Sequence, residues 1–112
     1  MKKIYLTIIA ITAFIYACSN SKSVSDKTIH VYGNCEKCKA RIEKAAKMKG
    51  VTDVNWNIDS KLLTYKIDTL VTGVNTVLQA IAAAGHDNDA FPGNDYTYGK
   101  LPQCCQYERK SE

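Results

Sequence analysis

Four of the five cysteines in this 112-residue chain form two close pairs, Cys35/Cys38 and Cys104/Cys105. Cys35-Glu36-Lys37-Cys38 follows the apolar run Ile29-His30-Val31-Tyr32-Gly33 and opens an amphipathic segment. Thiols on such a strand-to-helix turn sit at the positive end of the helix, which stabilises their ionised form. A thiolate pair of this kind either binds a soft metal ion or cycles as a disulfide. Two sulfurs on one ion stand about two metal–sulfur bond lengths apart, roughly 4 to 5 Å. A two-residue gap meets that requirement with Cys35 on the loop and Cys38 in the first helical turn. Lys37 adds positive charge, and thiolates select copper(I), zinc and similar ions over magnesium or calcium. In Cys104/Cys105, a disulfide between adjacent residues would close a strained ring. Cross-pairing between the two clusters stays geometrically open.

The elements that must position these thiols follow from patterning. Thr28 to Tyr32 alternates and is β-branched, a first strand. Lys39 to Lys49 sets Ile42, Ala45 and Ala46 beside Cys38 at helical spacing, and Gly50 closes that helix. Val54, Trp56 and Ile58 alternate along a second strand, Asp59-Ser60 is turn chemistry, and Leu63, Tyr65 and Ile67 alternate along a third. Val74, Val77, Leu78 and Ile81 form a second helical stripe ended by Gly85. Two helices on one face of an antiparallel sheet make an α+β layering, and a fourth strand would complete a ferredoxin-like βαββαβ sandwich. The segment available for it, His86 to Phe91, is polar, so a degraded edge strand is expected around Asp89 to Phe91. Beyond Pro92, the anchors Tyr96, Tyr98, Leu101 and Tyr107 indicate a tail that packs back on the domain.

The termini frame this unit. Lys2 and Lys3 precede an apolar run from Ile4 to Tyr16 that is short for a bilayer span and ends at Ala17-Cys18. The segment resembles a bacterial lipoprotein signal, which makes Cys18 the lipidated residue; the alternative is an uncleaved anchor. The organisation is then a signal peptide at 1–17, a flexible tether at 18–27, the folded domain at 28–91 and a cysteine-containing extension at 92–112. Losing Lys2 and Lys3 lowers the formal charge from +4 to +2, because residues 1–17 contain no acidic residue. So mild a charge argues against nucleic acid as a partner. The membrane is reached through the lipid, facing the periplasm or the cell exterior.

Thr28 to Phe91 resembles a heavy-metal-associated domain, the βαββαβ module of copper chaperones, of copper-ATPase N-terminal domains and of a periplasmic mercury-binding protein. The residues that carry the likeness are Val31-Tyr32-Gly33-Asn34-Cys35-Glu36-Lys37-Cys38, Ile42, Gly50-Val51 and Ala84-Gly85-His86. Where the family usually has Gly-Met-Thr/His-Cys, this chain has Gly33-Asn34-Cys35, one residue shorter and without the methionine. The resemblance implies that Cys35 and Cys38 are the metal ligands. It also makes His86 a candidate third ligand, against a solvated histidine at the helix end. Leu101-Pro102-Gln103-Cys104-Cys105-Gln106-Tyr107 looks like an extension of metal-associated proteins from Bacteroidetes-type bacteria. Its thiols complete a three- or four-sulfur site, accept the ion in transfer, or have no metal role. One ligand from the vicinal pair is favoured over two.

Trp56 and His30 read as sheet packing, Asp87 and Asp89 as loop carboxylates, and Lys44, Lys47 and Lys49 as a solvated helix face. The leading expectation is a non-enzymatic carrier of copper(I), with zinc or mercury as other cargo. It would deliver to a metal-transporting or efflux protein by ligand exchange. A thiol–disulfide redox protein is a second reading, although the aromatic-Cys-Gly-Pro-Cys signature and a thioredoxin-like βαβ start are missing. A structural zinc or disulfide knot is the third.

Overall fold

The computed structural model describes residues 23–110. Cys18 and the signal segment lie outside the described residues. Three strands, β1 (Val24–His30), β2 (Val51–Trp56) and β3 (Leu62–Asp68), form an antiparallel sheet in the order β1-β3-β2. Two helices, α1 (Glu36–Ala46) and α2 (Val74–Ala83), pack against each other and bury the sheet's inner face. Their stripes of Cys38, Ile42 and Ala46 and of Val77, Leu78 and Ile81 meet Leu63, Tyr65 and Ile67 of β3 in one core. This is the mixed α/β layering expected of a ferredoxin-like unit. Among the described residues no helix is long and apolar enough to cross a membrane.

Each difference from the sequence expectation has a local cause. Strand β1 begins at Val24 and takes in Val24–Lys27, which the sequence assigns to the tether. Val24-Ser25-Asp26-Lys27 is exposed and carries a single apolar residue, Val24, yet its backbone pairs with β3 from Val24↔Asp68 onward. Ser23 Oγ donates to Asp68 Oδ1 at 2.6 Å and holds the entry to that strand. Strand β2 buries both Val51 and Trp56, which an uninterrupted two-residue alternation cannot do. A register shift between Thr52 and Asn55, with Asp53 at φ 52°, inserts the extra residue that returns Trp56 to the core. The first helix starts three residues earlier than its apolar stripe implies, at Glu36, directly behind Cys35.

The fourth strand is reduced to a single antiparallel bridge, Val31↔Asn88, on the free edge of β1. Tyr32 N–H donates to Asp87 O at 2.9 Å and Asp89 N–H to His30 O at 3.3 Å. Pairing goes no further because the Asn88 side chain turns the backbone, its Oδ1 accepting from the N–H groups of Ala90 and Phe91. The chain then runs through a short helix, α3 (Asp95–Gly99), capped by Asn94, and a 3-10 turn at Gln103–Cys105. Leu101, Cys105 and Tyr107 join the core, so the extension packs back on the domain.

Candidate metal centre

The loop between β1 and α1 is shaped by what lies beneath it. Val31 is fully buried and its carbonyl accepts from Trp56 Nε1 at 3.0 Å, fixing the indole under the loop. Gly33 rests on that ring: a Cβ there would stand 3.0 Å from both the Trp56 ring and Cys38 Cβ. Any side chain there would have to push the ring or Cys38 aside by a few tenths of an ångström. The family's methionine is missing from this shortened loop, and Trp56 fills the space against Gly33. Glu43 anchors β2 to α1 from the other side, its carboxylate accepting from Trp56 N–H at 2.9 Å and from Lys39.

Cys35 is the N-cap residue of α1, with an extended backbone, and Cys38 lies in the first turn. Their sulfurs are 3.6 Å apart. Asn34 N–H donates to Cys38 Sγ at 3.3 Å. Cys35 is half-buried and Cys38 buried, so one sulfur faces outward and the other inward.

The tail brings its thiols to the same place. Cys105 Sγ and Cys104 Sγ each lie 3.4 Å from Cys35 Sγ and 4.0 Å from each other. Cys35, Cys38 and Cys105 place their sulfurs within 4.8 Å of one another, a spacing that suits one metal ion. Cys105 is buried and Cys104 exposed. Partial burial works against ionisation of Cys35. The Cys38 backbone N–H and the thiols of Cys104, Cys105 and Cys38 outweigh it and bring the pKa down to about 7. Burial, followed by the thiols of Cys38 and Cys35, pushes Cys105 the other way. Cys35 is thus the more readily ionised thiol and Cys105 the less.

His86 lies beneath the loop, bonded to the Tyr32 carbonyl. It is fully buried, which overturns the solvated helix-end histidine, and it stands outside the group of three sulfurs. Its Nδ1 donates to Tyr32 O at 2.8 Å, and its ring stacks on Tyr107 with centroids 5.4 Å apart. Burial lowers its pKa and keeps it neutral. Its Nε2 is buried without a partner among the described residues. The histidine supports the floor of the loop through the Tyr32 carbonyl.

Asp87, read from sequence as a loop carboxylate, is instead the buried anchor of the tail. Its carboxylate accepts from Arg109 Nη2 at 2.9 Å and from the N–H groups of Gly93 and Lys110. Arg109 also reaches Gly93 O and Asp95. Tyr107 Oη accepts from Asp87 N–H and donates to Gly85 O, both at 2.7 Å. The sequence marks Tyr107 as an anchor but carries no sign of the Asp87–Arg109 pair, because a charged pair 22 residues apart leaves no periodicity.

Comparison with known proteins agrees with this geometry. The heavy-metal-associated domain family matches residues 34–87. Among solved structures, a metallochaperone, CopZ, is 27% identical at a TM-score of 0.55, over 57% of this chain and 98% of its own. A protein from Bacillus anthracis strain Ames described as copper-ion-binding is 25% identical at 0.58, over 62% of this chain and all of its own. A copper-bound variant of CopA from Bacillus subtilis is 30% identical at 0.50, over 60% and 91%. No curated protein sequence matches the chain. The paired cysteines at Cys35 and Cys38, the loop-to-helix geometry that presents them and these similarities together make the chain a member of the heavy-metal-associated domain family, a metal-binding and metal-transfer module.

Proposed function

We propose that this protein captures copper(I) outside the cytoplasm through Cys35 and Cys38 and passes it on by ligand exchange, without turning over a substrate. The observation that carries the reading is the pair of sulfurs 3.6 Å apart at the N-terminus of α1, one on a half-exposed residue and one on a buried residue. Soft thiolates at low coordination number favour a monovalent soft ion over harder competitors. The copper named in the similar proteins points to the same cargo. Exchange needs no acid or base: an incoming thiolate replaces one sulfur at a time. The receiver is a metal-transporting or efflux protein, and a lipid on Cys18 tethers the carrier to the cell envelope near it.

The test is a titration of the reduced, anaerobic chain with copper(I) against a competing chelator. The expected result is binding of one ion that Cys35→Ser and Cys38→Ser each weaken by about tenfold or more. No competition by the wild type, or tighter binding of zinc or mercury(II) with copper(I) excluded, overturns the copper assignment. Rapid turnover of a model disulfide would replace carriage with redox chemistry. The tether is checked by fractionating cells: Cys18→Ala should move the protein out of the membrane fraction.

A further inference from the structure

The tail brings two more sulfurs to the loop than a paired-thiol carrier requires. The four sulfurs form two triangles that share the Cys35–Cys105 edge of 3.4 Å. The inner triangle is completed by Cys38, 3.6 Å from Cys35 and within 4.8 Å of Cys105, and two of its three residues are buried. The outer one is completed by exposed Cys104, 3.4 Å from Cys35 and 4.0 Å from Cys105. A metal–sulfur bond of about 2.3 Å puts sulfurs about 4.6 Å apart in a linear two-sulfur site and about 4.0 Å apart in a planar three-sulfur site. The edges of 3.4 and 3.6 Å stand nearer the three-sulfur spacing than the two-sulfur one. Nor is the tail placed loosely. Cys105 N–H bonds Pro102 O at 2.8 Å, and Tyr107, two residues on, is tied to Gly85 and Asp87.

We propose that the two triangles are a relay: copper(I) rests in the inner one on Cys35, Cys38 and Cys105, and leaves through the outer one as Cys104 replaces Cys38. This rests on the copper carriage proposed above. Each thiol gives its proton to solvent as its metal–sulfur bond forms and regains one when that bond breaks. The copper stays monovalent, so no electron moves. Cys35 and Cys105 hold the ion throughout the exchange, and it arrives at the surface without disturbing Gly33 or Trp56. A thiolate-bearing acceptor then meets the ion at Cys104, which supplies the exposed corner of the outer triangle.

X-ray absorption of the full chain loaded with one equivalent of copper(I) reads the sulfur count. We expect three sulfurs in the wild type and in Cys104→Ser, and two in Cys105→Ser. Stopped-flow release to bicinchoninate should slow about tenfold or more in Cys104→Ser, with affinity changed by less than about threefold. Two sulfurs in the wild type, or an unchanged count in Cys105→Ser, overturns the inner triangle. Unchanged release in Cys104→Ser overturns the outer one. Copper–copper scattering at one equivalent would mean a cluster and overturn the relay. If Cys105→Ser does not fold, Arg109→Gln, which loosens the tail without removing a sulfur, should lower the count toward two, and an unchanged count counts against the proposal. A wild type that binds no copper(I) fails at the earlier step, the carriage itself.

Discussion

Cys35 and Cys105 are 70 positions apart in the chain and touch sulfur to sulfur at 3.4 Å. The first belongs to the loop that the domain family shares, the second to an extension beyond the matched residues 34–87. Burial makes Cys105 the harder of the two to ionise, whereas surrounding donors make Cys35 easy. Cys35 is therefore the more nucleophilic of the two thiols. In the metal-free protein, iodoacetamide should alkylate Cys35 well ahead of Cys105, as read by peptide mass mapping after a short pulse. Equal labelling of both would show that the tail does not stay on the loop.

Gly33 is the position at which the loop tolerates least. A methyl group there meets Cys38 and the Trp56 ring at 3.0 Å, and neither can yield freely inside a packed core. Gly33→Ala should cost about 1–3 kcal/mol of stability and weaken metal binding by shifting Cys38. Gly99→Ala, with nothing within 4 Å of the new methyl, is the control and should be nearly silent. Thermal melts of both variants decide the matter; equal melting temperatures would remove the close-approach argument.

Tyr107 ties the tail to the segment that replaces the fourth strand. Its hydroxyl satisfies one buried donor, Asp87 N–H, and one acceptor, Gly85 O, while Tyr98 Oη donates to the Tyr107 carbonyl at 2.6 Å. Tyr107→Phe keeps the ring stacked on His86 and leaves both backbone groups without that partner. The expected loss is about 1–3 kcal/mol for each buried group left unsatisfied, measured by denaturant unfolding. A loss within error would mean that water enters and replaces the hydroxyl.

The sequence pattern carries most of the fold because its signals are local. The Val77, Leu78 and Ile81 stripe and the Leu63, Tyr65 and Ile67 alternation are read directly and are buried as expected. Strand β1 before Thr28 escapes notice because Val24 is its one apolar residue, which makes no alternation, and all four side chains are exposed. The bulge at Asp53 is hidden for a different reason: alternation from Val54 through Trp56 reads smoothly whether or not a residue is inserted upstream. At the site, the spacing of Cys35 and Cys38 announces a thiol pair. That Cys105 joins it depends on Asp87, Arg109 and Tyr107 folding the tail back, and contacts at that range leave no trace in composition or period.

Asp87 and Tyr107 give the tail opposite sensitivities to pH. Burial disfavours the Asp87 carboxylate, but Arg109 and the N–H groups of Gly93 and Lys110 outweigh it and hold its pKa below the usual carboxylate value. A pKa depressed in the folded state contributes stability that is present above the unfolded value of about 3.9 and is lost as pH falls through the folded one. Tyr107 is pushed up to about 12, chiefly by burial. Its contribution is full below the unfolded value of about 10 and is lost as pH rises toward the folded one. Stability should therefore be level with respect to these two groups near neutrality and fall on both sides. Asp87→Asn, which leaves Arg109 without its buried counter-charge, should cost about 2–3 kcal/mol at pH 7, allowing for the partial exposure of the arginine. It should also flatten the acid limb below about pH 4, because the amide does not titrate. Urea unfolding of wild type and variant from pH 2 to 7 reads both effects, and parallel curves across that range would mean that Asp87 is not what the acid limb reports.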